Sequence, residues 1–401
     1  MDEHRNPFAP GAGASPPELA GRDDILKQAL LVLARVKRGL AAKSLLVIGL
    51  RGTGKTVLLH EISEVAEKEG HYVVMIEAHE KKPLPALLLP ELRRILFALD
   101  SGEWISEKAK RALRVLKSFV SSIKLKAYDI ELGIDVNPER GAADSGDLES
   151  DLAQVFIALG EAAKDRQTAV AIIIDELQYL NEEELSALIM AMHKMAQKSL
   201  PVVLVGAGLP QLVAKAGQAK SYAERLFEYP ELGPLKKDDA KTALQIPVQK
   251  AGVVFTDEAL EEIIRVTEGY PYFLQEWGYQ AWNLADHSPI DVAIAKNATE
   301  VSIPRLDQNF FRVRFDRLTP RERDYLRAQA ELGADAQRSG DIAEKLGLNV
   351  QSVAPLRNGL IKKGMIYAPN HGDTAFTVPL FEAFMKRAMP DMPLAKKKRI
   401  K

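Results

Sequence analysis

The chain of 401 residues contains no cysteine, which excludes disulfides, thiol nucleophiles and thiolate metal sites. Histidine is scarce: His4, His60, His71, His79, His193, His287 and His371 are scattered, with no ligand spacing such as H-x-x-x-H. A metal centre built on imidazoles is therefore not expected. No uninterrupted apolar run approaches the roughly 20 residues that span a bilayer. Met1-Asp2-Glu3-His4-Arg5 does not begin a basic-then-apolar secretory signal. These absences predict a soluble cytoplasmic protein with no membrane partner. The formal net charge is −1, yet it is unevenly placed. From Leu318 to Lys401 fifteen basic residues face nine acidic ones, a net of +6, and five of the basic ones lie in Lys396-Lys397-Lys398-Arg399-Ile400-Lys401. A polyanion partner would thus be drawn mainly by the tail.

What is present is led by one octapeptide, Gly49-Leu50-Arg51-Gly52-Thr53-Gly54-Lys55-Thr56. It fits G-x-x-x-x-G-K-[ST], the phosphate-binding loop known as Walker A. Ser44-Leu45-Leu46-Val47-Ile48 before it reads as a buried strand, and Val57-Leu58-Leu59-His60-Glu61-Ile62 after it as an apolar-periodic helix. That context lets successive backbone N–H groups and a helix N-terminus converge on phosphate. Gly49, Gly52 and Gly54, with Thr53 between the last two, permit close backbone approach, and Val57 continues the helix N-terminus. Lys55 would reach the β- and γ-phosphates, and the Thr56 hydroxyl would hold Mg²⁺. The expected cofactors are ATP or ADP with Mg²⁺.

A second constellation completes the first. Ala169-Val170-Ala171-Ile172-Ile173-Ile174 is an unalternated apolar run ending in Asp175-Glu176, the pattern called Walker B. Such a run suits a central parallel strand. Asp175 would hold Mg²⁺, and Glu176 would polarise the attacking water, because this chemistry needs positioning and charge compensation. About 120 residues separate Lys55 from Asp175, long for a compact nucleotidase, so 80–148 is read as an insertion. It holds a Leu-rich helix near 86–99, a basic helix near 106–121, an alternating segment at 123–132 and a mobile loop at 137–146. Strand–helix alternation through Pro201–Gly206 predicts an α/β parallel sheet.

In order, Pro17, Gly21 and Arg22, the glycine loop, the Asp175-Glu176 pair, Ser221-Tyr222-Ala223-Glu224-Arg225 and Gly269-Tyr270-Pro271 resemble AAA+ ATPases of the origin-recognition and STAND-like branch. The resemblance covers about 17–300. It implies that the Arg22 loop lies against adenine, that Pro271 covers the base from a helical lid, and that Arg225 is an arginine finger serving a neighbouring subunit of a homo-oligomer. Read from the residues alone, Arg225 fits equally an exposed helix arginine paired with an acid, and Pro271 a helix-start proline. Two departures stand out. Val205-Gly206-Ala207-Gly208-Leu209 carries no polar sensor at the end of the fourth strand, and no arginine follows closely on Gly269. Slow hydrolysis serving a conformational switch fits better than a motor.

The C-terminal part resembles a winged helix. Thr319-Pro320 starts a helix, Ser339–Leu348 reads as the second helix and turn, Val350–Lys363 as the third helix closed by Gly364, and Met365–Val378 as the wing. Pro355 within the third helix predicts a late start capped by Ser352, or a kink. Gln351, Ser352, Arg357, Asn358, Lys362 and Lys363, with no acid among them, suit a DNA groove. Winged helices also dock proteins. The expected fold is an α/β P-loop NTPase with an α-helical lid and a C-terminal winged helix. Its domains are a core at 17–235, a lid at 236–317, a winged helix at 318–389 and a basic tail at 390–401. The expected function is a slow Mg-ATP switch acting on DNA through 350–363 and the tail; the alternative is a signalling scaffold that docks protein partners.

Overall fold

The computed structural model describes residues 1–11, 13–100, 106–122, 136–370 and 372–391. The alternating segment at 123–132 and the Lys-rich end of the tail lie outside them. The chain forms two compact units, one of Arg22–Gly49 with Lys55–Leu232, the other of Met1–Gly21, Leu50–Gly54 and Gly233–Lys401.

The first unit runs α1 (Asp23–Lys37), β1 (Ser44–Ile48), α2 (Lys55–Lys68), β2 (His71–Glu77), α3 (Leu84–Asp100), α4 (Glu107–Ser122), α5 (Leu148–Asp165), β3 (Ala169–Asp175), α6 (Glu182–Lys198), β4 (Val202–Gly208), α7 (Leu212–Ala219), α8 (Ala223–Leu226) and β5 (Phe227–Glu228). The strands form one parallel sheet in the order β2-β3-β4-β1-β5. Alternate residues of each strand feed opposite faces. Leu45, Val47, Ala171 and Ile173 pack with α1 and α2, and Leu46, Ile172 and Ile174 with α3 to α6. With both faces covered, β3 is buried throughout and apolar up to its last residue, Asp175.

The helices of 80–148 are not an appendage. Leu88, Leu92, Leu96, Leu113, Leu116 and Phe119 belong to the same core as the sheet. The Leu84 N–H also donates to Glu184 Oε1 at 2.7 Å. Glu184 meanwhile closes a capping box with Asn181. The loop at 137–146 differs from the mobile one expected. Arg111 pairs with Glu139 at 3.0 Å, and buried Asp151 accepts the Ser145 hydroxyl at 2.7 Å and the Gly146 N–H at 2.9 Å. Buried Asp151 and the half-exposed Arg111–Glu139 pair thus hold a segment whose composition reads as flexible.

The second unit holds α9 (Lys237–Lys250), α10 (Asp257–Thr267), α11 (Pro271–Leu284), α12 (Val292–Leu306), α13 (Arg312–Phe315), α14 (Pro320–Leu332), β6 (Gln337–Arg338), α15 (Ser339–Lys345), α16 (Val350–Lys362), β7 (Ile366–Tyr367), β8 (Asp373–Phe376) and α17 (Phe381–Ala388). α9 to α12 form a helical bundle. The first residues of the chain complete it. Phe8 is buried, and a Cβ on Gly278 of α11 would stand 2.7 Å from its ring. Asn6 Nδ2 donates to the Tyr279 carbonyl at 3.0 Å and to Asn283 Oδ1 at 2.7 Å.

α14, α15 and α16 with the antiparallel sheet β6-β8-β7 follow the helix and strand order of a winged helix. Thr319 and Glu322 form a capping box at α14, with Pro320 in its first turn. α16 starts at Val350 with Asn349, not Ser352, as its cap, and Pro355 sits inside it. Gly364 follows at φ 65°, the left-handed position that ends a helix. Phe311 and Phe315 pack on Phe384 of α17, at ring separations of 5.2 and 5.8 Å, joining α9 to α12 and the C-terminal elements in one core. Among the described residues no helix is long and apolar enough to cross a membrane.

Candidate nucleotide site

The glycine loop joins β1 to α2. Gly52 and Gly54 take φ of 81° and 89°, which an L side chain adopts only under strain. Around Gly54 a Cβ would meet nothing within 4 Å, so backbone conformation and not space demands glycine there. The Gly49 N–H is tied to the Gly208 carbonyl at 3.1 Å. Thr53 is buried, and its hydroxyl donates to the Leu50 carbonyl at 2.9 Å. The loop tip is also bonded within its own unit: the Tyr272 N–H donates to the Gly52 carbonyl at 3.3 Å and the Arg51 N–H to the Thr377 carbonyl at 3.0 Å.

Lys55 opens α2 and is buried, its Nζ donating to the Gly49 carbonyl at 3.0 Å. One residue on, Thr56 Oγ1 donates to Asp175 Oδ2 at 2.6 Å. The residues singled out at the glycine loop and at the end of β3 therefore meet, although about 120 positions separate them. Asp175 is 5% exposed. Burial pushes its carboxyl above the ordinary value, opposed by the Thr56 hydrogen bond, with the nearby Glu176 charge adding to the rise. Asp175 Oδ1 accepts the Glu176 N–H at 2.7 Å. Glu176 sits at φ 55°, ψ 38°, left-handed backbone that is rare for a residue with a side chain and clusters at functional sites.

The other singled-out residues lie apart from this cluster in character. Arg22 is buried at the start of α1. Val57 follows Thr56 in the first turn of α2 and is half-buried. Arg225 is exposed on α8 and, among the described residues, makes no ion pair, so the paired-arginine reading is not what the fold shows. Pro271 opens α11 as its first residue, the helix-start role its surroundings suggested. Sequence reading missed Gln178. It donates Nε2 to Glu176 Oε2 and accepts the Leu209 N–H at 3.1 Å. The signal was a glutamine two residues beyond Glu176.

A strand–glycine loop–helix with a buried lysine, and a hydroxyl set against a carboxylate at the end of β3, defines a P-loop nucleotidase domain. Residues 18–205 match the family described as AAA ATPase domain, and the chain carries an AAA+ P-loop ATPase domain. Residues 308–385 match a family described as a domain of unknown function, DUF8462. An uncharacterized HTH-type transcriptional regulator of Methanocaldococcus jannaschii is 23% identical over 374 residues, covering 89% of this chain and 85% of that protein. The solved Walker-type ATPase of Pyrococcus abyssi superposes with a TM-score of 0.53 at 18% identity, over 92% of this chain and 96% of the other. That likeness is one of fold.

Proposed function

We propose that this chain binds Mg²⁺-ATP at Lys55, Thr56 and Asp175, hydrolyses it slowly, and uses the nucleotide state to control DNA engagement by its winged helix. The observation that carries the reading is the 2.6 Å contact of Thr56 with buried Asp175 beside Lys55. These donors fit the metal. Mg²⁺ takes hard oxygen ligands, and a carboxylate whose burial resists ionisation gains most from a cation. When bound, the ion neutralises charge on the phosphate oxygens. Lys55 exchanges the Gly49 carbonyl for phosphate, the N–H groups of Gly52 to Thr56 cradle it, and Glu176 orients the attacking water and takes its proton. Exposed Arg225 suits action in a neighbouring copy of the chain, and Arg22 and Pro271 keep the base-binding roles the resemblance implies. Slowness follows from the bare end of β4 and from the lid's lack of an arginine after Gly269.

The DNA link is supported by the winged-helix order of the C-terminal elements and by the relative named as an HTH-type transcriptional regulator. Protein docking is the second reading. Leu348 and Val350 are 48% and 51% exposed at the start of α16, apolar where a groove reader needs polar groups. A salt titration of DNA binding by Glu176→Gln protein, alone, with ADP and with Mg²⁺-ATP, separates the two. Salt-sensitive binding that changes with nucleotide is the expected outcome. No DNA binding in any state overturns the DNA link and leaves docking.

A further inference from the structure

The end of β4 lacks a polar side chain for a reason. A Cβ on Gly206 would stand 2.2 Å from Leu177 Cδ1, and one on Gly208 would stand 2.9 Å from Gln178 Oε1. The turn Leu177–Tyr179 after Glu176 therefore fills the space that β4's own side chains would occupy. Gln178, 9% exposed, bridges two groups from that turn. Its Nε2 donates to Glu176 Oε2, and its Oε1 accepts the Leu209 N–H, directly beyond β4. The turn is fastened from behind. Lys215 on α7 donates to the Gln178 carbonyl at 3.0 Å and to the Leu180 carbonyl.

We propose that Gln178 is a positioning residue for Glu176, and that its carboxamide makes the end of β4 and the water-activating carboxylate one unit. The inference rests on the ATPase reading above. A carboxylate has two oxygens. Held at Oε2 by the Gln178 amide, Glu176 presents Oε1 in a fixed direction. The same amide registers any displacement of Leu209. It thus performs from the far side the coupling that a polar side chain on β4 would perform.

The test is steady-state and single-turnover Mg²⁺-ATP hydrolysis by the full chain carrying Gln178→Ala or the isosteric Gln178→Glu, with nucleotide affinity and thermal melting alongside. Both variants are expected to lower kcat about 100-fold, the scale on which misplacing a catalytic group acts. ATP affinity and KM should stay within about threefold, since only a transition-state interaction is lost. In a Glu176→Gln background, Gln178→Ala should change turnover by no more than about twofold, because residues acting as a unit are non-additive. Unchanged kcat, a full multiplicative loss on Glu176→Gln, or losses in both variants that follow melting temperature and KM would each overturn the role. Wild-type turnover no faster than that of Glu176→Gln would overturn the ATPase reading and this one together. Wild-type turnover indifferent to Gln178 overturns this one alone.

Discussion

The Walker residues and the helix α16 are both sources of polar side chains picked out in the sequence, and the fold treats them oppositely. Lys55, Thr56 and Asp175 are drawn together, with Thr56 bonded to Asp175 and Lys55 turned onto the Gly49 carbonyl. On α16 the cations disperse. Arg357 is half-buried and donates to the Asp373 carbonyl at 3.2 Å. Lys363, capping the end of α16, pairs with buried Glu322 at 2.7 Å. Lys362, Gln351, Ser352 and Asn358 remain exposed. A motif defined by spacing around a glycine loop constrains backbone geometry, so its side chains have one arrangement. A set defined by composition along a helix does not say which members face the protein.

Three variants press on that contrast. Lys55→Ala is expected to have the largest effect, lowering ATP affinity at least about 100-fold in a fluorescent-nucleotide titration, since hydrogen bonds to charged groups are worth about 1.5–3 kcal/mol each. Retained affinity would break the Walker half of the comparison. On α16 the exposed and inward cations should separate cleanly. Lys362→Ala should weaken DNA binding a few-fold and reduce the salt slope by about 1. Arg357→Ala should leave DNA affinity alone and cost roughly 1 kcal/mol in denaturant unfolding. The reverse pattern would show that Arg357 leaves the wing to reach a phosphate.

The smallest effect is one of pH. Burial pushes the Glu322 carboxyl up, but the Lys363 ammonium and the Thr319 N–H and hydroxyl outweigh it, leaving it below its ordinary 4.5. A depressed carboxyl contributes stability that is present above 4.5 and lost as pH falls through its folded value. Wild type should therefore melt above Lys363→Ala at neutral pH, and the gap should close in acid. A gap independent of pH would assign Lys363 a packing role.

The fold was legible where period and punctuation agree. The apolar run of β3 and the glycine loop both lie where pattern places them. β6 escaped because two residues, Gln337 and Arg338, are too short to carry a period; their pairing with Thr374 and Asp373 makes them a strand. The cap of α16 fell to Asn349 because its side chain accepts the Ser352 N–H at 2.8 Å, which lets the helix begin well ahead of Pro355. Gln178 was hidden for another reason. Its partners, Glu176 and the Leu209 N–H, are joined only by the pairing of β3 with β4.

The docked first residues bear on how this chain is handled at the bench. The AAA match begins at residue 18, and a truncation there looks innocuous on sequence. It would strip Phe8 from Gly278 and Asn6 from Tyr279 and Asn283. Burying a phenylalanine is worth about 1.5–3 kcal/mol, and the bared strip of α11 would invite self-association. For expression, the start of the AAA match is the wrong place to cut, because the packing on α11 is finished by residues more than 250 positions upstream.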